Sequence, residues 1–337
     1  MLDERTFSSL TTAAPAKPAG PLFLVGAPRS GTTLVYKMLC LHPESAWISN
    51  WNRIAPAVRA LAVINPLATL LPKARHRAWF GDDSNAYVYG SVRSLSQRLL
   101  PTPVEGEPLF RRAGLGEEEI VHPADVSPKA VDELRKAFRA IQRYSGGTFF
   151  VNKRVANNRR IPLLAEAFPD ARFLEIVRDG RSVAQSLATV DWWPESTVWW
   201  NGTTPVRWEA EGRDPWELRA RSWVEELKVT SRGLSTVSPN RVMKVTYEDF
   251  VAQPMELLAE IKSFAALPHS ERWMQAVSRC RCRPCEENWR NQLSPDAVAT
   301  IESIQAEMLR LHGYRTCSPI NGSREVRPLG IEAPQAH

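Results

Sequence analysis

Two glycines stand five positions apart in the segment Gly26 to Thr33, which reads GAPRSGTT and directly follows the apolar run Leu22–Val25. That spacing is typical of a phosphate-binding loop, whose backbone N–H groups cradle a phosphate at a helix N-terminus. The lysine that follows the second glycine in nucleoside-triphosphate-binding loops is replaced by Thr32, and a cation comes earlier, as Arg29. The loop therefore predicts binding of a 5′-phosphate without the γ-phosphate chemistry of ATP or GTP.

A second polar motif follows another apolar run. Arg178 directly follows the segment Arg172–Val177 and begins the sequence RDGRSVAQS. This sequence ends at Ser186, eight positions after Arg178. A guanidinium fork and a hydroxyl match phosphate oxygens. Taken alone, this sequence also fits a common turn and a salt-bridged helix start. Together with the glycine loop, it suggests a nucleotide that is phosphorylated at two separate places.

The elements that carry these motifs alternate between strand and helix patterns. This alternation predicts an α/β protein of the P-loop type, in which helices cover both faces of a central parallel sheet of about five strands, giving three layers. Both motifs then lie at the carboxyl edge of the sheet, where ligands of such sheets bind. The predicted strands are 22–25, 46–49, 148–152, 172–177 and 242–246, and the predicted helices are 128–144, 160–167, 183–189, 216–235 and 254–266.

The chain divides by composition into a lead-in, one domain and a tail. Residues 1–20 are rich in Ala, Pro, Ser and Thr and predict a disordered lead-in, and 319–337 predict a flexible tail. Between them, 21–318 predict a single domain. The irregular part from 50 to 127 is expected to insert as a lid or acceptor-site wall, and the tryptophan-dense stretch 191–223 fits either an aromatic substrate surface or packing.

Composition excludes several classes of protein. The chain has 43% hydrophobic and 24% charged residues with a net charge of +6, and its basic residues are spread out rather than clustered as in a nucleic-acid-binding tail. The N-terminus has no apolar leader, which leads us to expect a cytoplasmic protein. The apolar stretch 60–72 is too short to span a bilayer. It predicts a core helix, with peripheral membrane contact as the alternative.

The two motifs together resemble those of sulfotransferases, and the tyrosylprotein and bacterial branch in particular. Further similar segments are 41–43, 152–153, 168–172, 245–250 and 287–294, so that the resemblance spans 21 to about 315. It implies 3′-phosphoadenosine 5′-phosphosulfate as the co-substrate, no required metal, and transfer of a sulfuryl group to a hydroxyl or amine. The implied acceptor is a small molecule, a carbohydrate or a lipid. The residues implied to bind the 5′-phosphosulfate are Arg29, Ser30, Gly31, Thr32 and Thr33. Those implied to bind the 3′-phosphate and the nucleotide are Arg178, Ser186, Tyr247 and Arg290. Lys153 is implied to stabilise the leaving oxygen.

The general base is the point at which the resemblance fails. Tyrosylprotein relatives have a glutamate soon after the turn that matches 41–43, and this chain has no carboxylate there. A base must reach the acceptor hydroxyl. Glu105 lies in the proline-bounded segment PTPVEGEP and is the first candidate, followed by His122 and Asp83. His42 is expected to be structural.

Three readings of function remain open from the sequence. The first is a sulfotransferase, the second is a P-loop kinase, and the third is a catalytically silent nucleotide-binding protein of the same fold. Thr32 argues against the kinase, and the missing glutamate keeps the silent protein open. Cys280, Cys282 and Cys285 form a weak zinc pattern that free thiols explain better. Neither the oligomeric state nor the identity of the acceptor can be inferred from the sequence.

Overall fold

A computed structural model of the 337-residue chain describes residues 20–81, 98–116, 120–280, 282 and 289–317. Its centre is a parallel sheet of five strands: β1 Leu22–Val25, β2 Ser45–Ala46, β3 Phe149–Lys153, β4 Arg172–Val177 and β5 Val242–Thr246. The strand order is β2-β3-β1-β4-β5, and every pair is parallel. The predicted fold class is thereby confirmed. The predicted lead-in and most of the tail lie outside the described residues.

Fifteen α-helices connect and flank these strands within the described ranges. They are α1 Thr32–Cys40, α2 Asn50–Ile54, α3 Leu67–Leu70, α4 Pro72–Phe80, α5 Glu107–Arg112, α6 Pro128–Ser145, α7 Ile161–Ala167, α8 Gly180–Leu187, α9 Pro205–Ala210, α10 Pro215–Leu234, α11 Tyr247–Ala252, α12 Pro254–Ala265, α13 Glu271–Val277, α14 Trp289–Gln292 and α15 Pro295–Leu311. Short 3₁₀ helices cover Arg59–Ile64, Pro123–Asp125, Val155–Arg159 and Pro239–Arg241.

Strand β1 shows why helices cover both faces of the sheet. Its four residues are all buried, and successive side chains of a strand point to opposite faces. Leu22 and Leu24 join the apolar cluster that contains α1 and α12, whereas Phe23 and Val25 join the cluster that contains α6 and α7. A strand buried on both faces reads as a continuous apolar run, which is the pattern seen in the sequence.

The element bounds differ from the predicted ones at two functionally relevant places. Strand β3 extends one residue further than predicted and includes Lys153, which lies in a central strand with 4% exposure. Helix α8 begins at Gly180, three residues before its predicted start, because the Asp179 side chain accepts a hydrogen bond from the backbone N–H of Arg181 and caps the helix.

The apolar stretch 60–72 does not form the single core helix that its composition predicts. It is divided between the 3₁₀ helix Arg59–Ile64 and the short helix α3, with Pro66 between them. Ala62 and Ala68 are buried, but Val63, Leu67 and Leu70 are exposed by 62%, 49% and 72%. No helix in the described part of the chain is long and apolar enough to cross a membrane.

Candidate active site

The glycine loop, residues 26–33, needs both of its glycines for backbone reasons. Gly26 has a φ of 144°, and a Cβ there would lie 2.3 Å from the carbonyl oxygen of Ile176 on the adjacent strand. Gly31 has a φ of 85°, and a Cβ there would lie 2.2 Å from the ring of Tyr247. Arg29 also has a positive φ, 71°, which is uncommon for a residue with a side chain. Backbone strain of this kind is concentrated at functional sites.

The glycine loop and the second motif meet in the structure, as the sequence predicted. Arg29 Nε donates a 2.9 Å hydrogen bond to Ser186 Oγ on α8. Arg178 Nη1 donates a 3.0 Å hydrogen bond to the carbonyl oxygen of Arg29. The two junctions β1–α1 and β4–α8 therefore form one cationic surface at the carboxyl edge of the sheet.

The polar groups of the glycine loop fit an anionic ligand. Ser30 is fully buried, and its hydroxyl has no hydrogen-bond partner among the described residues. Thr32 is buried, and Thr33 beside it lies in the first turn of α1, where free N–H groups and the helix dipole favour negative charge. A buried hydroxyl without a partner is costly unless a ligand supplies one. These features suit a phosphate or sulfate group.

Tyr247 packs directly against this surface. Its ring covers Gly31, and the guanidinium of Arg178 lies 4.7 Å from the ring centroid. Arg290 is placed less directly: it stacks at 4.5 Å on Trp289 and is exposed. Its helix α14 contacts α8 through a hydrogen bond between Gln185 and Gln292. Arg290 thus lies on an element next to the one that carries Ser186.

Lys153 and Glu105 form the central charged pair of the site. Lys153 Nζ donates to Glu105 Oε1, and the backbone N–H of Val155 donates to Glu105 Oε2 at 3.2 Å. The Lys153 side chain is 5% exposed and the Glu105 side chain 35% exposed. The proline-bounded segment therefore does present Glu105 to the sheet edge, with its carboxylate held from two sides and still open to a ligand.

The neighbouring carboxylate has a different environment. Glu107 pairs with Arg154, whose guanidinium is buried, stacks on Phe110 at 4.5 Å and donates to the carbonyl oxygen of Leu115 at 3.1 Å. Such an arrangement holds the chain from 105 to 116 in place. His122 is exposed at the start of a 3₁₀ helix and is not among the described residues that line the cavity below. Asp83, the third candidate, lies outside the described residues.

A cavity of about 660 Å³ opens beside Glu105. We call it the tryptophan cavity, because four tryptophans contribute to its wall. It begins at Pro28 of the glycine loop and continues along the 3₁₀ helix Val155–Arg159 to the buried face of α10. Its tryptophans are Trp192, Trp193, Trp199 and Trp200. The tryptophan-dense stretch thus has two roles: Trp208 and Trp223 are packed in a buried apolar cluster, and Trp193 of the cavity wall belongs to that cluster as well.

Within the irregular segment 50–127, Glu105 is the described residue that lines this cavity. Half of the lining residues come from 191–200, which lie between α8 and α9. The segment 50–127 therefore supplies a charged group at the mouth of the cavity, and the tryptophan stretch supplies its apolar surface.

Glu226 of α10 connects the glycine loop to the tryptophan cavity. Its Oε2 accepts a 2.7 Å hydrogen bond from Asn158 Nδ2, and the Asn158 side chain in turn holds the N–H and the carbonyl of Gly26 at 3.0 and 2.9 Å. Its Oε1 accepts from Trp199 Nε1 at 2.8 Å and from Arg159 Nη1 at 3.2 Å.

Sequence reasoning missed Glu226. One signal was present: the helical period places it on the same face as Trp223 and Thr230, which are both buried. Burial raises the pKa of the Glu226 carboxyl, while Arg159, Asn158 and Trp199 favour its charged form and oppose that rise. A carboxylate on the buried face of an amphipathic helix needs such partners, because an isolated buried charge is strongly disfavoured.

Residues 21–271 match the model of the sulfotransferase family. The chain belongs to the sulfotransferase family. The enzyme matches the family over the whole described sheet, including the glycine loop, Lys153 and the second motif. The sequence left three functions open, and the family match supports sulfotransferase activity over a kinase and over a silent nucleotide-binding protein.

This sulfotransferase is similar to two curated relatives and to one solved structure. The omega-hydroxy-beta-dihydromenaquinone-9 sulfotransferases Stf3 of Mycobacterium bovis and Mycobacterium tuberculosis are each 22% identical to it over 320 residues, which cover 89% of this chain and 76% of theirs. The crystal structure of sulfotransferase STF9 from Mycobacterium avium superposes with a TM-score of 0.55 at 17% identity, covering 90% of this chain and 78% of that one. The structural match shows a shared fold.

Cys280 and Cys282 are packed in or against the apolar cluster that contains α1 and α12. Burial raises the pKa of the Cys280 thiol to about 12 and that of Cys282 to about 11, so both stay protonated at neutral pH. Cys285 lies outside the described residues. Across the described ranges there is no group of three or more His, Cys, Asp or Glu side chains arranged to hold a metal ion. His42 is buried and is held by the carbonyl oxygen of Pro268 at 3.1 Å, which is a structural role.

Proposed function

We propose that this sulfotransferase takes its sulfuryl group from 3′-phosphoadenosine 5′-phosphosulfate. The bridge from Arg29 to Ser186 supports this donor, because it joins two anion-binding surfaces, one at each strand-to-helix junction. The glycine loop, with Arg29 and the hydroxyls of Ser30, Thr32 and Thr33, would hold the 5′-phosphosulfate. Arg178 and Ser186 would hold the 3′-phosphate, with Tyr247 against the nucleotide and Arg290 closing over it.

We propose as the acceptor a hydroxyl group, or an amine, on a small molecule, a carbohydrate or a lipid with an apolar body. The observation that carries the proposal is the position of Glu105 in the wall of the tryptophan cavity, with its carboxylate paired to Lys153. Tryptophan faces bind flat and apolar groups, and their indole N–H groups donate to oxygen. The curated relatives carry the name of a hydroxylated menaquinone sulfotransferase, which favours a lipid with a terminal hydroxyl within this class.

The proposed transfer is a single in-line displacement. Glu105 takes the proton from the acceptor hydroxyl, and the acceptor oxygen forms a new bond to sulfur. The bond between sulfur and the bridging phosphate oxygen breaks, and its electron pair stays on that oxygen. Lys153 donates to the leaving oxygen, and Arg29 stabilises charge on the non-bridging oxygens. Positioning and charge stabilisation of this kind provide most of the catalysis in phosphoryl and sulfuryl transfer.

The test is transfer of ³⁵S from labelled donor to a panel of acceptors, which includes a polyprenyl chain with a terminal hydroxyl, a sterol, a phenol and a disaccharide. We expect a labelled product with an apolar hydroxylated acceptor, and release of one 3′-phosphoadenosine 5′-phosphate per product formed. Labelled product with the disaccharide alone would contradict the apolar acceptor. Failure of the labelled donor to bind would contradict the donor itself.

A further inference from the structure

A second cleft of about 550 Å³ lies at the opposite end of α1 from the glycine loop. We call it the cationic cleft. It is formed by α4, by α13 and the turn after it, and by Leu41 at the carboxyl end of α1. Its basic side chains are Lys73, Arg75, His76 and Arg279. Among the described lining residues there is no carboxylate.

Arg75 shows that this charge is poorly compensated within the described structure. The residue is 7% exposed, and its Nε is buried without a hydrogen-bond partner among the described residues. Its guanidinium lies 5.7 Å from the centroid of the Trp79 ring. Partial burial, then the positive charges of Arg75 and Arg279, lower the pKa of His76. The carboxyl end of α1 supplies on the order of half a negative charge, which offsets one cation in part but not the whole cluster.

Exposed apolar side chains directly precede the residues of the cationic cleft in the chain. Leu70 and Leu71 are exposed by 72% and 55% and directly precede Pro72 and Lys73, which line the cleft. Four more exposed aliphatic side chains come from the preceding residues of the same segment: Ile54, Val58, Val63 and Leu67. From Ser45 to Gly81 the sequence contains five Arg or Lys residues and no Asp or Glu.

Exposed aliphatic side chains next to uncompensated cations are the combination that binds the interface of an anionic bilayer. We propose that this face docks on a membrane, with the phosphate of an anionic phospholipid in the cationic cleft and with Leu70 and Leu71 in the acyl boundary. This is independent of the proposed donor and acceptor, because the cleft and the glycine loop lie at opposite ends of α1. Docking would bring the enzyme to a surface where apolar acceptors are dissolved.

The test is flotation of the full chain with two kinds of vesicle, one of phosphatidylcholine and one of phosphatidylcholine with about one third phosphatidylglycerol. On the anionic vesicles, each surface cation contributes on the order of fivefold to binding. We expect binding to the anionic vesicles alone. Lys73→Gln with Arg279→Gln should weaken it by roughly 20-fold or more. Leu70→Ser with Leu71→Ser should weaken it by at least about tenfold.

Matched controls are Lys136→Gln with Arg310→Gln, two exposed cations elsewhere, and Leu311→Ser, which is 69% exposed. These should float like the parent protein. Equal binding to both vesicle types, or unchanged binding of the cleft and leucine variants, would overturn the proposal. A third arm titrates inorganic phosphate without vesicles into the parent protein and into the Lys73→Gln with Arg279→Gln variant: phosphate binding that this variant loses, without flotation of the parent, would assign the cleft to a soluble anion and also overturn membrane docking. Unaltered circular dichroism of each variant shows that loss of flotation is not unfolding.

Discussion

The glycine loop and the tryptophan cavity are built in different ways, although they share Pro28. Around the glycine loop, side chains from two strand-to-helix junctions bind one another, as in the bond from Arg29 to Ser186. Half of the residues that line the tryptophan cavity, including its four tryptophans, come from 191–200, which form turns rather than a strand or an α-helix. If the proposed donor and acceptor sites are right, the acceptor preference can change in these turns without disturbing the binding of the nucleotide.

Lys153 and Glu105 lie between the two regions. Lys153 of the interior strand β3 is paired in register with Leu24, two residues before the glycine loop, and Glu105, its partner from the irregular segment, lines the tryptophan cavity. If the comparison is right, substitution of Lys153 or Glu105 should reduce sulfuryl transfer, and substitution in the glycine loop should reduce donor binding. Substitution of a buried residue that supports both regions should reduce the free energy of unfolding.

The largest expected effect is that of Glu105→Gln. Amide replacement removes the proposed base but keeps the shape of the side chain, and we expect turnover to fall by about 10²–10⁴-fold. Steady-state transfer of ³⁵S measures it. The matched control is Glu107→Gln, two residues away, which should lower thermal stability through the Arg154 pair. Equal loss of turnover in both variants would contradict a specific role for Glu105.

Lys153→Ala should lower turnover by about 10²–10³-fold, because one charged donor to the leaving oxygen is lost. Affinity for 3′-phosphoadenosine 5′-phosphate should change much less, and calorimetry measures it in the same preparation. Lys228→Ala, an exposed lysine on α10, serves as the control with unchanged kinetics. A large loss of nucleotide affinity with normal turnover at saturation would place Lys153 in donor binding instead.

Arg178→Ala should weaken binding of 3′-phosphoadenosine 5′-phosphate by about tenfold or more, since a charged hydrogen bond contributes about 1.5–3 kcal/mol. Arg29→Ala should have an effect of the same order. Arg172→Ala, at the start of the strand β4 that precedes Arg178, is the control. Unchanged affinity in both the Arg178 and the Arg29 variants, with the fold intact, would refute the proposed donor site.

Glu226→Gln tests the link between the regions. An amide has only one accepting oxygen, so it cannot accept from Asn158 on one side and from Trp199 and Arg159 on the other. At least one of these donors therefore loses its acceptor. We expect the free energy of unfolding to fall by about 1–3 kcal/mol, measured by urea denaturation. Glu225→Gln, the half-buried neighbour, should be nearly neutral. A stable Glu226→Gln variant with normal donor affinity would mean that the two regions are not coupled through this residue.

The smallest expected effect concerns His312. Its ring packs against Trp223, and the Trp223 side chain donates a hydrogen bond to the carbonyl oxygen of Arg178. Burial, and then Lys244, lower the pKa of His312 to about 4 from an ordinary 6.5. Between these values the unfolded chain binds more protons than the folded one, so stability should rise with pH from 4 to 6.5. His312→Gln should flatten this part of the profile, whereas His269→Gln, an exposed histidine, should not. An unchanged slope in His312→Gln would contradict the assignment.

The meeting of the glycine loop and the second motif could be predicted from sequence, because each motif is local. A continuous apolar strand, a glycine spacing and a helix pattern follow one another in Leu22 to Cys40, and the parallel sheet rule then brings Arg29 and Arg178 to one edge. Glu105 was selected because prolines constrain its loop, and the structure places it against Lys153. Its catalytic role remains a prediction.

The rest depends on contacts between distant segments. Glu226 meets Asn158 across 68 positions, and Arg154 meets Glu107 across 47. Neither pair has a spacing that a helix or strand period would reveal. The stretch 60–72 was misassigned for a related reason: its apolar content predicts burial, but Pro66 interrupts it and six aliphatic side chains between 54 and 71 stay exposed.

Calorimetric titration with 3′-phosphoadenosine 5′-phosphate, beside ATP with Mg²⁺, tests the central claim most directly. The account predicts tight binding of the bisphosphate to the parent protein, at least tenfold weaker binding to Arg178→Ala, and no binding of ATP with Mg²⁺. Binding of ATP with Mg²⁺ in preference to the bisphosphate would contradict the donor and the two-phosphate arrangement on which the mechanism depends.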